Sequence, residues 1–361
     1  MADYKNPETL VLHGGDYRSD SATNAVAVPI YQTTSYQFDN TEHASNLFAL
    51  KEFGNIYSRI MNPTCDVLEK RVAALEGGAA ALALSSGQAA SLIAIQNICH
   101  AGDNFVSSTD LYGGTWNLFN NTMKDMGIEV RFVDPADPEG FRKATDERTR
   151  CYYAETLPNP KLNVFPIKEV ADIGRELGVP LIMDNTACPV LCRPFEHGAA
   201  VVVYSTTKYI GGHGTSIGGL LVDGGNFDWE AHADRFPLMN QPDPSYHGAV
   251  WTEAVKPIGP VAYIIKARVT LLRDMGASMS PFNAFQFIQG LETLPLRMRA
   301  HCENAAKVAD FLSKHKKVSH VIFPSLMEGE TRRRADTYLK GGFGALVGFE
   351  LKDGAEAGRK F

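Results

Sequence analysis

Between about residues 61 and 255 the chain alternates short, nearly unbroken apolar runs with longer segments of mixed polarity. The runs fall at 79–84, 104–107, 129–133, 149–154, 179–184, 201–205 and 219–223. Their length and their content of β-branched and aromatic residues predict buried strands rather than helices. Strands that alternate with helical segments predict an α/β domain, with a mostly parallel sheet and helices on both faces. After Pro257 the spacing of Leu271, Leu272, Met275, Leu291, Leu294, Leu296 and Met298 predicts a long helical stretch through Leu312 that leads into a smaller C-terminal domain. Residues 1–60 are rich in Thr, Ser, Asn and Gly and weakly periodic, which predicts an extended arm suited to embracing another subunit. The chain therefore divides into an arm at 1–60, an α/β domain at 61–255, and a linker helix with a partial C-terminal domain at 256–361.

Chemistry gathers where the apolar runs stop, and open α/β sheets bind ligands at the carboxyl ends of their strands. The run 201–205 ends at Ser205 and is followed by Thr207 and the lone Lys208. A lysine acts as a Schiff-base amine when burial or neighbouring cations lower its affinity for the proton. The run 179–184 ends at Asp184, and a carboxylate there can pair with a protonated pyridine nitrogen and keep a pyridoxal ring electron-poor. Taken singly, a lysine after a strand is ordinarily a solvated side chain, and an Asp before Asn185-Thr186 ordinarily caps a turn. Their joint position at two strand ends favours the reactive reading. A third run, 79–84, leads through Ser85-Ser86-Gly87-Gln88 into an apolar segment, a strand, tight turn and helix. Gly87 permits close backbone approach, and the free N–H groups of a helix start favour an anion, so this turn is a candidate phosphate anchor. Ser205 and Thr207 would add hydroxyl donors.

Several longer motifs occur in one order: Thr9-Leu10-Val11-Leu12-His13-Gly14-Gly15, Ile56-Tyr57-Ser58-Arg59-Ile60-Met61-Asn62-Pro63-Thr64, Ser85-Ser86-Gly87-Gln88-Ala89, Leu111-Tyr112-Gly113-Gly114-Thr115, Glu155-Thr156-Leu157-Pro158-Asn159-Pro160, Asp184-Asn185-Thr186 and Ser205-Thr206-Thr207-Lys208-Tyr209. On these motifs the chain resembles, over nearly its whole length, the Cys/Met-metabolism family of pyridoxal-phosphate enzymes, and within it the O-acetylhomoserine sulfhydrylase branch. The resemblance implies the fold type I architecture of pyridoxal-phosphate transferases: a mostly parallel seven-stranded sheet flanked by helices, with a smaller α/β domain, here incomplete, at the C-terminus. It implies pyridoxal 5'-phosphate as cofactor. Lys208 resembles the Schiff-base lysine that then shuttles protons between substrate carbons, and Asp184 the partner of the pyridine nitrogen. Tyr112 resembles the ring stacked on the cofactor, which also exchanges protons. Ser86, Gly87 and Gln88, with the hydroxyls of Ser205 and Thr207, resemble the phosphate site, and Asn159 the side chain near the phenolic oxygen. Tyr57 and Arg59 resemble a pair that reaches the phosphate of a neighbouring subunit, with Tyr57 also at the reacting centre. A guanidinium suits that place because its planar fork donates two hydrogen bonds to a phosphate.

Finer marks separate the branches. Methionine γ-lyases carry a cysteine two residues after the stacking tyrosine, where this chain has Gly114. The stretches 208–219, 155–160 and 115–119 resemble the sulfhydrylases more than the cystathionine enzymes. The resemblance therefore implies γ-replacement on O-acetyl-L-homoserine: acetate leaves Cγ, sulfide or another sulfur donor adds, and homocysteine results, or methionine with methanethiol. The neighbouring alternatives are O-succinylhomoserine sulfhydrylase, cystathionine γ-synthase and methionine γ-lyase. Family members continue well past 342–351, and the arginine that binds the substrate carboxylate lies in that continuation. Arg332, Arg333 and Arg334 do not match it, so a truncated form that holds cofactor with impaired turnover is a rival expectation. A serine hydrolase is the other rival, through Gly214-Thr215-Ser216-Ile217-Gly218, but the strand expected at 219–223 stands where that motif needs a helix.

Composition narrows the setting. With 35 basic and 41 acidic residues among 361, the net charge of −6 argues against a general nucleic-acid or anionic-membrane surface. The six cysteines form no dense framework and read as reduced cytosolic thiols. Cys188, Cys192 and His197 lack a fourth clustered ligand and are interrupted by Pro189 and Pro194, which disfavours a metal site. The start has no basic-then-apolar signal pattern, and no run approaches the roughly 18–20 apolar residues of a membrane span. The expectation is a cytoplasmic enzyme acting on small molecules, assembled as a homotetramer of active-site-sharing dimers.

Overall fold

The computed structural model describes residues 6–361; the first five positions of the predicted arm lie outside the described residues. The chain forms two compact units, each discontinuous in sequence: one joins the chain up to Asn97 with Tyr204–Glu292, the other Ile98–Val203 with Thr293–Phe361. The main sheet has seven strands, β1 (Ala80–Leu84), β2 (Asn104–Ser108), β3 (Glu129–Val133), β4 (Thr149–Glu155), β5 (Leu181–Asp184), β6 (Val201–Ser205) and β7 (Gly219–Asp223), in the order β1-β7-β6-β5-β4-β2-β3. This is the mostly parallel α/β sheet expected of fold type I.

In the first unit β1 and β7 are antiparallel, with Leu82 opposite Leu221, and both side chains are fully buried. The helix Pro63–Glu76 packs nearby. Asn62 caps its start by accepting from the Thr64 N–H at 3.0 Å, and Gly77, at φ 77°, ends it in the left-handed conformation that favours glycine. From this helix Glu69 reaches inward. One of its oxygens accepts from the Ala83 N–H at 2.7 Å and the other from Arg268 at 2.5 Å, so the buried charge is paired twice.

In the second unit β2, β3, β4 and β5 pair in parallel, and β5 pairs with the first residues of β6. All seven residues of β4 are buried, as expected of a strand covered on both faces. The C-terminal part of this unit holds a two-stranded antiparallel sheet, β8 (Val318–Ile322) with β9 (Gly348–Leu351). Val321 and Phe323 pack there against Ala305 and Ala309 of the helix Leu294–Ser313.

Two elements differ from the periodicity. The arm contains two helices, Pro7–His13 and Thr41–Phe48, started by Asn6 and Asn40, whose side chains accept from N–H groups of the first turn. The helical stretch after Pro257 is broken. The helix Ala262–Ala267 widens into a π turn at Arg268–Leu272 and stops at Gly276, at φ 77°; new helices begin at Pro281 and Leu294. Proline is preorganised for a first turn and cannot continue a preceding one, so apolar spacing that reads as one helix is cut into several. Among the described residues no helix is long and apolar enough to cross a membrane.

Candidate active site

The first unit carries the turn after β1 and the turn after β6. Ser86 caps the helix Gly87–Gln96: its hydroxyl accepts from the Ala89 N–H at 3.1 Å and its carbonyl from the Ala90 N–H at 3.0 Å. Gly87 and Gln88 thus take the first two helical positions, where N–H groups have no intrahelical acceptor. Gly87 sits so close to Ser205 that an added Cβ would lie 2.6 Å from the Ser205 Cβ. This close approach sets the serine beside the helix start. The Thr207 hydroxyl is tied to Gly218, accepting from its N–H at 3.2 Å and donating to its carbonyl at 3.3 Å.

Lys208 follows in a tight turn closed by two backbone bonds, Gly211 N–H to the Thr206 carbonyl and Gly212 N–H to the Lys208 carbonyl, both 2.8 Å. Its side chain is exposed. Tyr57 and Arg59 lie in the same unit, with the guanidinium carbon 5.3 Å from the phenol centroid and both side chains exposed. Their segment is anchored by the Ser58 N–H bonded to the Thr34 carbonyl at 2.8 Å and by the Asn62 amide bonded to the Tyr31 carbonyl at 2.8 Å. The geometry thus brings Ser86, Gly87 and Gln88, after β1, beside Ser205, which ends β6 and leads into Thr207 and Lys208, and leaves Tyr57 and Arg59 as an outward-facing pair.

The second unit carries two carboxylates side by side. Asp184, the last residue of β5, stands in register with Glu155, the last residue of β4. Asp184 accepts from the Thr186 N–H at 2.9 Å; burial pushes its acidity toward the neutral form, and hydrogen bonds from Thr186 and Tyr153 oppose that. Glu155 is only 7% exposed. It accepts from the Tyr112 N–H at 2.6 Å and from the Asn159 N–H. Burial, and next the nearby Asp184 charge, push its pKa well above the usual carboxylate range.

Tyr112 opens the helix Gly113–Asn117 with its ring 53% exposed. A Cβ on Gly114 would come within 2.6 Å of that ring, so glycine lets the phenol lie across the start of its own helix. Asn159 is exposed, before a cis bond to Pro160. Glu155 escaped the sequence reading as a functional position, although it carries the signal that marked Asp184: a carboxylate ending an apolar strand.

These groups have the chemistry that pyridoxal phosphate needs. The helix-start amides with two hydroxyls suit a dianionic phosphate, and Gly87, which leaves no room for a side chain, keeps the backbone within reach of it. The strand-end carboxylate suits a pyridinium nitrogen, the exposed phenol a ring face, and the exposed amine an aldehyde carbon. The rival motif does not assemble. Ser216 donates its hydroxyl to the Gln286 side-chain oxygen and is followed by β7, with no helix at the elbow. Cys188 and Cys192 are buried and form no disulfide, and among the described residues no three His, Cys, Asp or Glu side chains are grouped to hold a metal ion.

A mostly parallel seven-stranded sheet of this order, flanked by helices, is the architecture of a pyridoxal-phosphate enzyme of fold type I. Residues 8–361 match the Cys/Met metabolism PLP-dependent enzyme family, and the chain belongs to it, with pyridoxal 5'-phosphate as its cofactor. It is 54% identical to the O-acetyl-L-homoserine sulfhydrylase of Leptospira meyeri, over 98% of this chain and 81% of that protein. It is 51% identical to O-acetyl-L-homoserine sulfhydrylase 1 of Thermus thermophilus, over 98% and 83% respectively. Among solved structures it is similar to a Campylobacter jejuni protein described as a candidate O-acetylhomoserine (thiol)-lyase bearing an N'-pyridoxyl-lysine-5'-monophosphate. That similarity has a TM-score of 0.91 at 40% identity, over 97% of this chain and 85% of the other.

Proposed function

We propose that this protein catalyses γ-replacement on O-acetyl-L-homoserine: the Cγ–O bond breaks, acetate leaves, a Cγ–S bond forms with sulfide, and homocysteine is released. With methanethiol as donor the product is methionine. The observation that carries this reading is the kinship with O-acetyl-L-homoserine sulfhydrylases over nearly the whole chain. Bound pyridoxal phosphate supplies an electron sink for negative charge at the substrate Cα.

The protein's own residues supply the rest. Lys208 holds the cofactor and, once the substrate amine displaces it, takes the proton from Cα and returns protons further along the substrate. Asp184 keeps a proton on the pyridine nitrogen, and its burial strengthens that pairing by lowering the local dielectric. Tyr112 covers the ring face and, through its hydroxyl, exchanges protons with the reacting centre. Ser86, Gly87, Gln88, Ser205 and Thr207 bind the phosphate, and Asn159 donates to the phenolic oxygen. Tyr57 and Arg59, exposed and stacked on one another, complete the site of a second copy, Arg59 at the phosphate and Tyr57 near the reacting carbon. On this reading residues 1–60 serve as the arm between subunits, 61–255 as the cofactor domain and 256–361 as linker and C-terminal domain. The protein works in the cytoplasm as a homotetramer.

The deciding experiment compares the visible absorbance of the purified protein with that of Lys208→Ala, before and after O-acetylhomoserine. A band that shifts with substrate in the parent protein and is missing in the variant supports the reading. A band retained by Lys208→Ala overturns it.

A further inference from the structure

We propose that Glu155 is a positioning residue whose buried carboxylate gathers the backbone N–H groups of Tyr112 and Asn159 and thereby holds both loops in place for the cofactor. The inference rests on the assignment of Tyr112 and Asn159 to that cofactor.

The argument starts from the sheet. β2 and β4 are parallel neighbours, so their carboxyl ends release two loops side by side, one leading to Tyr112 and the other to Asn159. Neither functional side chain is buried, so packing does not fix either of them. The backbone does. Glu155 ends β4 inside the structure, at 7% exposure, and accepts the Tyr112 N–H at 2.6 Å together with the Asn159 N–H. Two donors from two loops on one buried carboxyl group tie both loops to the end of β4.

A second tie runs parallel to it. Lys161, two residues past Asn159, reaches Asp110, two residues before Tyr112, at 2.6 Å, and Asp110 is itself buried and receives no freedom from its own loop because its N–H donates to the Ser108 hydroxyl at 3.0 Å. The loops are thus cross-linked once inside and once at the rim. The buried link carries the inference, because an exposed lysine contributes little to such a pair. Register with Asp184 gives the arrangement a further role: the carboxylate that meets the pyridine nitrogen and the one that holds the loops end adjacent strands, so the ring's edge and its cover are set from one point of the sheet.

Amide hydrogen exchange on the full-length chain without and with pyridoxal phosphate, combined with cofactor titration, tests this for Glu155→Gln and Lys161→Met. Glutamine keeps one acceptor oxygen but turns an NH2 donor toward the remaining N–H. Glu155→Gln should speed exchange in segments 109–115 and 157–162 about tenfold while 204–212 stays at the parent rate, the mark of local rather than global opening. The same variant should weaken pyridoxal phosphate binding by about tenfold, and Lys161→Met should speed exchange in the two loops by only about threefold, as expected for an exposed pair. Parent-like exchange in both loops of Glu155→Gln overturns the proposal, as does an equal rise along the whole chain. If Glu155→Gln does not fold, Glu155→Asp, which draws the carboxyl group back from both N–H groups, decides: parent-like exchange in both loops then overturns it. A parent protein that takes up no pyridoxal phosphate at Lys208 overturns the functional reading instead, because the exchange data without cofactor report on the clamp alone.

Discussion

Gly290, in the helix Pro281–Glu292, lies against the carbonyl oxygens of Ile210 and Gly211, and a side chain there would overlap both. The helix therefore bears directly on the backbone turn that begins at Lys208. Glycine is required here by close approach, since its φ lies in the ordinary range.

Gly290→Ala should displace that turn. Overpacking of this kind costs about 1–3 kcal/mol. The expected outcome is a lower thermal midpoint together with a weakened lysine-bound cofactor band. Gly358→Ala, where an added Cβ meets nothing within 4 Å, should change neither. Equal cofactor spectra for Gly290→Ala and the parent protein would refute the link.

Asp223 ends β7 fully enclosed, and burial pushes its pKa up from 3.8 to about 7, while N–H groups of Gly225 and Ile264 pull the other way. A group whose folded pKa exceeds its unfolded value contributes stability below the unfolded value and loses it as pH rises through the folded one. Stability should therefore fall between about pH 4 and 7 from this residue, by up to about 4 kcal/mol at about 1.4 kcal/mol per unit. Asp223→Asn retains an acceptor for those N–H groups and removes the charge. Its thermal midpoint should exceed the parent's at pH 8 and converge with it near pH 4; a constant offset across that range would contradict the assignment.

Glu69 and Arg268 join the helix Pro63–Glu76 to the π turn at Arg268–Leu272, and Arg268 also donates to the carbonyls of Ile60 at 2.8 Å and Ala81 at 3.2 Å. Arg268→Met leaves a buried carboxylate without its cation and should cost about 3–5 kcal/mol in urea unfolding. Adding Glu69→Gln should recover part of that loss, because the amide still accepts from Ala83 and no charge remains buried. A double variant as unstable as Arg268→Met would show that packing, not charge, accounts for the loss.

How much of this was legible in the chain depends on the range of the interactions involved. Strand positions followed from local apolar runs: β3, β6 and β7 fall where the pattern predicts them, and β1, β2, β4 and β5 lie within two residues of it. The positions of the proposed site residues were legible for the same reason, since Asp184, Ser205 and Lys208 stand at or just beyond strand ends and Ser86 at a helix cap, all positions set by neighbours in sequence. The helices of the arm do not show in its weak periodicity because single Asn caps start them, and the stretch after Pro257 divides because Gly276 and Pro281 break a spacing that apolar residues alone carry through. Sequence by itself determined the type of sheet, which polar side chains stand at its strand ends and the family. Only the tertiary structure decided that Glu155 receives Tyr112 and Asn159, that Gly290 bears on the lysine turn and that Asp223 is enclosed. Each of these depends on which distant backbone is brought alongside, and strand register and helix packing select that partner where local pattern is silent.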